Sequence, residues 1–110
     1  MRIEAVLVTA ILGGATFAGC AAKQTRTVQG VEIAEDKAGL WQQATLPADS
    51  AIKLALGRVP GGRIVEGELE EEDGRLIYSF DIKVEGRAGV DEVDVDARRG
   101  AIVSVGHESE

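Results

Sequence analysis

Along TLPADSAIKLALGRVPGG, residues 45–62, the apolar side chains Ala48, Ala51, Ile52, Ala55, Leu56 and Val59 recur at i, i+3, i+4, i+7, i+8 and i+11. That spacing lines one stripe of an α-helix and leaves the other side polar. Thr45 is placed to accept an orphan backbone N–H as N-cap, Pro47 is tolerated only in the first turn, and Asp49 complements the positive helix end. Pro60-Gly61-Gly62 ends the helix, because proline cannot continue the hydrogen-bond ladder and glycine admits the reversed angles beyond it.

Beyond Gly62 the apolar period drops from helical to two. In LEEEDGRLIYSFDI, residues 69–82, Asp73-Gly74 predicts a two-residue hairpin turn with positive φ at both positions. That turn sets Glu72 against Arg75, Leu69 against Tyr78, Gly67 against Phe80 and Val65 against Ile82, so one face collects only apolar side chains or glycine. A three-residue loop would instead carry Ser79 and Asp81 inside. In VDEVDVDARRGAIVSV, residues 90–105, a three-residue Arg98-Arg99-Gly100 loop sets Ala97 against Ala101, Val95 against Val103 and Val93 against Val105. EGRAG, residues 85–89, joins the two hairpins. The predicted fold is α+β: an N-terminal helix packed on one face of a four-stranded antiparallel β-meander. Its stripe covers Val65, Leu69, Tyr78, Phe80, Ile82, Val93, Val95, Val103 and Val105.

Ahead of that core the pattern weakens. In VEIAEDKAGLWQQA, residues 31–44, Leu40, Trp41 and Ala44 share a helical face that Gly39 interrupts, so either a short helix or an irregular lead-in precedes the main helix. AAKQTRTVQG, residues 21–30, is small and polar without a period and reads as a tether. Residues 21–38 are therefore assigned to tether and lead-in, and 39–110 to the folded domain.

Residues 1–20, MRIEAVLVTAILGGATFAGC, have the organisation of an export signal: Arg2, then an uncharged and mostly apolar run over 5–18. That run is too short to span about 30 Å of hydrocarbon as a helix. Phe17-Ala18-Gly19-Cys20 resembles a bacterial lipobox, in which Cys20 becomes the lipid-modified first residue of the mature chain. A plain cleaved signal and an uncleaved anchor remain as alternatives, since Phe17 replaces the usual aliphatic residue and Glu4 dilutes the basic start. The expected location is the cell envelope, either membrane-anchored or secreted and periplasmic. Cys20 is the only cysteine, so packing without disulfides must hold the domain.

The order of helix, Pro60-Gly61-Gly62, EDGRLIYSFDI and EVDVDARRG closely resembles the PepSY domain, found in propeptides of thermolysin-type metallopeptidases and in small exported bacterial proteins. Ala51, Ala55, Gly74, Tyr78, Glu92, Val93, Val95, Asp96, Ala97 and Gly100 carry the likeness, which extends over residues 39–108. The resemblance implies a binding module that modulates or inhibits a peptidase in the cell envelope, acting in trans. The alternative is an acidic ligand- or cation-binding envelope protein with no peptidase target.

Charge narrows the partners. Twelve basic against nineteen acidic side chains leave −7, which repels nucleic acid and suits a protein partner with a basic surface. The predicted strand facing puts Glu66, Glu68, Glu70, Asp81, Glu92, Asp94 and Asp96 on the outer side of the sheet, with Lys83 as the main relief. Three readings of this face stand: a solvated surface that prevents sheet stacking, a docking site for a basic patch, and weak Ca²⁺ binding. The last lacks the closely spaced Asp/Asn/Gly pattern of a dedicated calcium loop. Trp41 is expected in the core beside Leu40, and His107 in the tail GHESE has no ligand pattern around it. Catalysis is not expected, nor a cofactor or resident metal, because the chain offers no nucleophile beside a base, no histidine cluster and no phosphate-binding loop.

Overall fold

The computed structural model describes residues 22–109. Residues 1–20, with Cys20 and its lipobox, lie outside them. Strands β1 (Thr25–Val28) and β2 (Val31–Glu35) come first, followed by a 3-10 turn at Trp41–Gln43 and helix α1 at Ala48–Arg58. Strands β3 (Gly62–Glu72), β4 (Arg75–Val84), β5 (Val90–Asp96) and β6 (Ile102–Glu108) complete the chain. All six strands form one sheet in sequence order, antiparallel throughout except for the parallel β2–β3 pair.

The α+β class and the helix on one sheet face are as the pattern predicts, but the sheet is six-stranded and mixed, not a four-stranded meander. The expected meander survives as β3 to β6. The two added strands come from 25–35, within the segment read as tether and lead-in. Gln29 and Gly30 both take positive φ, 52° and 78°, the same pair of angles as at Asp73 and Gly74. A Gln-Gly turn lacks the strong Asn-Gly or Asp-Gly signature, which is why the first hairpin escapes a turn search. A parallel pair needs a crossover connection, and the 3-10 turn and α1 supply it between β2 and β3.

The helix stripe is buried as its spacing requires: Ala51, Ile52, Ala55 and Val59 are in the core, with Ala48 and Leu56 packed against it. Thr45 is not the N-cap. Pro47 holds that position, its carbonyl accepting from the Ser50 and Ala51 N–H groups, while the Thr45 hydroxyl donates to the Arg98 carbonyl at 3.2 Å.

In the first predicted hairpin, Glu72–Arg75, Leu69–Tyr78 and Gly67–Phe80 pair as expected. A bulge between Ile64 and Glu66 then reverses parity, so Ile64 faces Ile82 and Val65 is 46% exposed. A position built on Gly67 to mimic a Cβ would lie 3.3 Å from the Phe80 ring and 3.2 Å from the Glu32 carbonyl, so glycine is what lets the ring and β2 close over this point.

In the second hairpin Val93 faces Val105 as expected, but a shift at Asp94/Val95 sets Val95 against Ile102 instead of Val103. Asp96 anchors the turn: its Oδ1 accepts from the Arg98 and Arg99 N–H groups and its own N–H donates to the Ala101 carbonyl, so residues 97–100 form the loop in place of 98–100. Val105 lies on the inner side but is 44% exposed, because α1 packs chiefly over β3, β4 and β5.

Leu40 and Trp41 are buried, and the Trp41 ring sits 6.1 Å from that of Tyr78. Glu35 fastens this corner. Its side chain is buried on the helix side of β2, with Oε1 accepting from Trp41 N–H at 3.0 Å and Oε2 from Gln24 N–H at 2.9 Å. Burial alone would raise its pKa, but the N–H groups of Trp41, Gln24, Leu40 and Gly39 outweigh that and hold it below the ordinary glutamate range.

Glu35→Gln offers one acceptor where two are used and aims an amide N–H at a donor, so it should cost about 1 to 3 kcal/mol in denaturant unfolding. Because the folded pKa is depressed, the wild-type contribution is present above the unfolded value near 4.3 and is lost as pH falls through the lower folded value. The difference between wild type and variant should therefore shrink below about pH 4. An undiminished difference at pH 3 would contradict the assigned role.

Candidate functional site: the open face of the sheet

One face of the sheet is covered by α1 and the other is open. Strand register arranges the open face in ranks: Glu66, Asp81 and Glu92 face one another across β3, β4 and β5, as do Glu68, Ser79 and Asp94, and then Glu70, Ile77 and Asp96. All seven carboxylates expected on this side are therefore brought together on it. Lys83 shares the face but turns its ammonium to the Gly89 carbonyl at 3.2 Å, away from the ranks.

Partial burial and crowding by like charges both oppose ionisation, and Glu70, Asp81 and Glu92 register it. Partial burial, a hydrogen bond with Glu68 and the charges of Glu68, Glu72 and Asp94 push Glu70 up to about 7. Burial and the adjoining Glu66 raise Asp81. Glu92 is raised by burial and by Asp94, Asp81 and Glu108, against a hydrogen bond donated by the Ser79 hydroxyl at 3.1 Å. Asp96 behaves oppositely: the N–H groups of Arg99 and Arg98 hold its pKa down against the effect of burial. Asp96 is thus committed to its turn.

The face is less uniformly polar than alternation suggests. Ile77 is only 2% exposed there and lines a shallow hollow with Val103, which the bulge in β6 directs away from the inner core. Asp94 Oδ2 accepts from the Ser104 hydroxyl at 3.0 Å, while its Oδ1 is buried without a hydrogen-bond partner among the described residues. Among the described residues no group of three His, Cys, Asp or Glu side chains is arranged to hold a metal ion. The calcium reading of this surface gains no geometric support.

Two features outside the face escape sequence reasoning. His107 is no stray tail residue: it belongs to β6, and its Nδ1 lies 2.7 Å from Asp91 Oδ1. Arg87 pairs with the other Asp91 oxygen, and hydrogen bonds from His107 and Arg87 hold the Asp91 pKa down. A cleft of about 310 Å³ also opens beside the start of α1, lined by Arg26, Trp41, Leu46, Pro47, Asp49 and Tyr78. The Arg26 guanidinium lies 4.4 Å from the centre of the Trp41 ring, and the Tyr78 hydroxyl donates to the Leu46 carbonyl at 2.8 Å. The alternation in VEIAE is the signal that would have placed β2, and with it this cleft.

A helix, the Pro60-Gly61-Gly62 stop and a four-stranded meander are the parts on which the family likeness rests. Residues 45–105 match the PepSY family model, described as the peptidase propeptide and YPEB domain. The chain belongs to the PepSY family. PepSY domains are in general regulatory or inhibitory modules that interact with peptidases. The matched span begins at Thr45, so the PepSY match takes in α1 and the meander but not β1, β2 or the 3-10 turn. Neither the curated proteins nor the solved structures gave a match.

The Glu70 carboxyl takes up a proton on folding between the unfolded value near 4.3 and about 7, so wild-type stability falls as pH rises across that window. Glu70→Gln should flatten that slope and raise stability at pH 8 by about 1 kcal/mol, the full linkage value being reduced by solvent screening of a partly exposed group. Denaturant unfolding at pH 4 and pH 8 checks this. Equal effects at both pH values would remove the repulsion argument.

Proposed function

We propose that this PepSY chain is an exported, lipid-anchored binding module that modulates or inhibits a peptidase in the cell envelope. Membership of a family associated with peptidase propeptides carries the reading. The anchor rests on the small residues Ala18 and Gly19 directly before Cys20, after a short apolar run. The module acts by association, through its sheet and without chemistry of its own. Partner recognition falls to the open face and the sheet edges, where an extended segment of a peptidase or its propeptide can add to the backbone ladder.

Three measurements test this. The mature domain should inhibit a secreted thermolysin-type metallopeptidase in a dose-dependent way. The native chain should carry acyl mass on Cys20, and Cys20→Ala should release it from the membrane fraction. An unmodified chain recovered from cytosol would overturn export and anchoring. Stabilisation by cations with no effect on any of a panel of envelope peptidases would favour the acidic ligand-binding alternative.

A further inference from the structure

The two outermost strands of the sheet are not equivalent. β1 is four residues long and carries Arg26, whose guanidinium covers Trp41. Shortness and positive charge are the usual means of blunting a sheet edge. β6 is seven residues long, and from Ile102 to Gly106 it contains no ionisable side chain and no proline. Among the described residues no strand pairs with its outer side. In a chain of net charge −7, the strand most able to accept another is thus its least guarded.

The neighbours of that edge define what would fit. On the open face, Gly106 lies beside Glu92 and Ser104 beside Asp94. A Cβ added at Gly106 would meet nothing within 4 Å, so the path from the edge to Glu92 is clear. A residue on an added strand opposite Gly106 sits about 10 Å from Glu92, two strand spacings, within the combined reach of an extended lysine or arginine and a glutamate. Opposite Ser104 the same reach leads to Asp94, whose Oδ1 has no partner among the described residues. Between these two positions the added strand turns its side chain to the inner face beside Val105, which is apolar and half exposed.

We propose that β6 is the docking edge, and that its occupant is an extended protein segment in which basic residues alternate with apolar ones. This rests on the proposed binding function and specifies its partner. A second copy of the chain fits less well: antiparallel β6–β6 pairing would continue the sheet with both acidic faces on the same side. Each copy would then extend the other's array of like charges.

A labelled peptide of alternating lysine and valine, titrated into the domain by fluorescence anisotropy, should bind in a salt-sensitive way and slow amide exchange across β6. Gly106→Val fits β geometry and the empty space but blocks the path to Glu92, so it should weaken binding about tenfold without lowering Tm. Glu92→Gln with Asp94→Asn should weaken it similarly, while Asp49→Asn on α1 should not. Equal binding of a glutamate-valine peptide, unchanged exchange in β6, or dimerisation of the free domain through β6 would each overturn the proposal. Peptidase inhibition that persists undiminished in Gly106→Val would sink this docking edge and leave the function standing. Peptide binding at β6 with no peptidase inhibited would do the reverse.

Discussion

Strand β4 is packed on both faces, and that constraint sets everything around it. Leu76, Tyr78, Phe80 and Ile82 point toward α1, while Ile77 and Ser79 are buried on the opposite side. Side chains alternate along a strand, so a slip of one residue would drive Ser79 and Asp81 beneath the helix and expose two aromatic rings. The Asp73-Gly74 turn prevents the slip by fixing the register of β3 on β4, and β5 then follows on the other side. The acidic ranks of the open face are the other half of the same decision. Once Tyr78 and Val95 are dry, Asp94 and Asp96 must be wet.

The second constraint is the closing of the N-terminal corner. β1 and β2 bring little apolar surface of their own beyond Ile33, with Val28 and Val31 at the margin, yet they cover Trp41 and Phe80. A buried carboxylate gives this arrangement its direction. Glu35 satisfies backbone donors from both Gln24 and Trp41, and Trp41 returns an indole N–H to the Gln24 carbonyl at 3.1 Å. Breaking either end leaves buried polar groups unpaired, which costs more than the bonds themselves contribute. The same corner walls the cleft, so its shape depends on residues that precede the family match.

What could be read in the sequence follows how strongly each local signal is tied to geometry. The stripe from Ala48 to Val59 and the Asp-Gly turn state period and angle directly, and both appear as expected. Val65 and Val103 are placed on the inner face by extending a register outward from a turn, and each placement fails at a bulge, whereas Val95 keeps its face and loses only its partner. Alternation counts residues, and a bulge adds one without leaving a compositional mark. Glu35 shows the opposite difficulty. An acid at the end of VEIAE breaks the apolar pattern on the face it occupies, and only the folded corner shows that its partners are backbone N–H groups. The acidic face is legible because β3, β4 and β5 pair with one another without a shift over all seven carboxylates.

A face that holds its own carboxyls above their ordinary pKa is electrostatically loaded before any partner arrives. Glu70, Asp81 and Glu92 are each disfavoured as anions by partial burial and by neighbouring carboxylates, and Lys83 is occupied elsewhere. Such repulsion works against folding, yet the register that buries Tyr78 and Phe80 holds it in place. A second acidic sheet cannot stack there, whereas a cationic side chain relieves several carboxylates at once. The uncharged stretch of β6 from Ile102 to Gly106 lies one strand beyond, with only Ser104 and Gly106 between its free edge and Asp94 and Glu92. In the docking proposed for that edge, backbone pairing supplies affinity with little regard to sequence, and the loaded face supplies discrimination, favouring segments that bring positive charge and repelling those that bring more of its own.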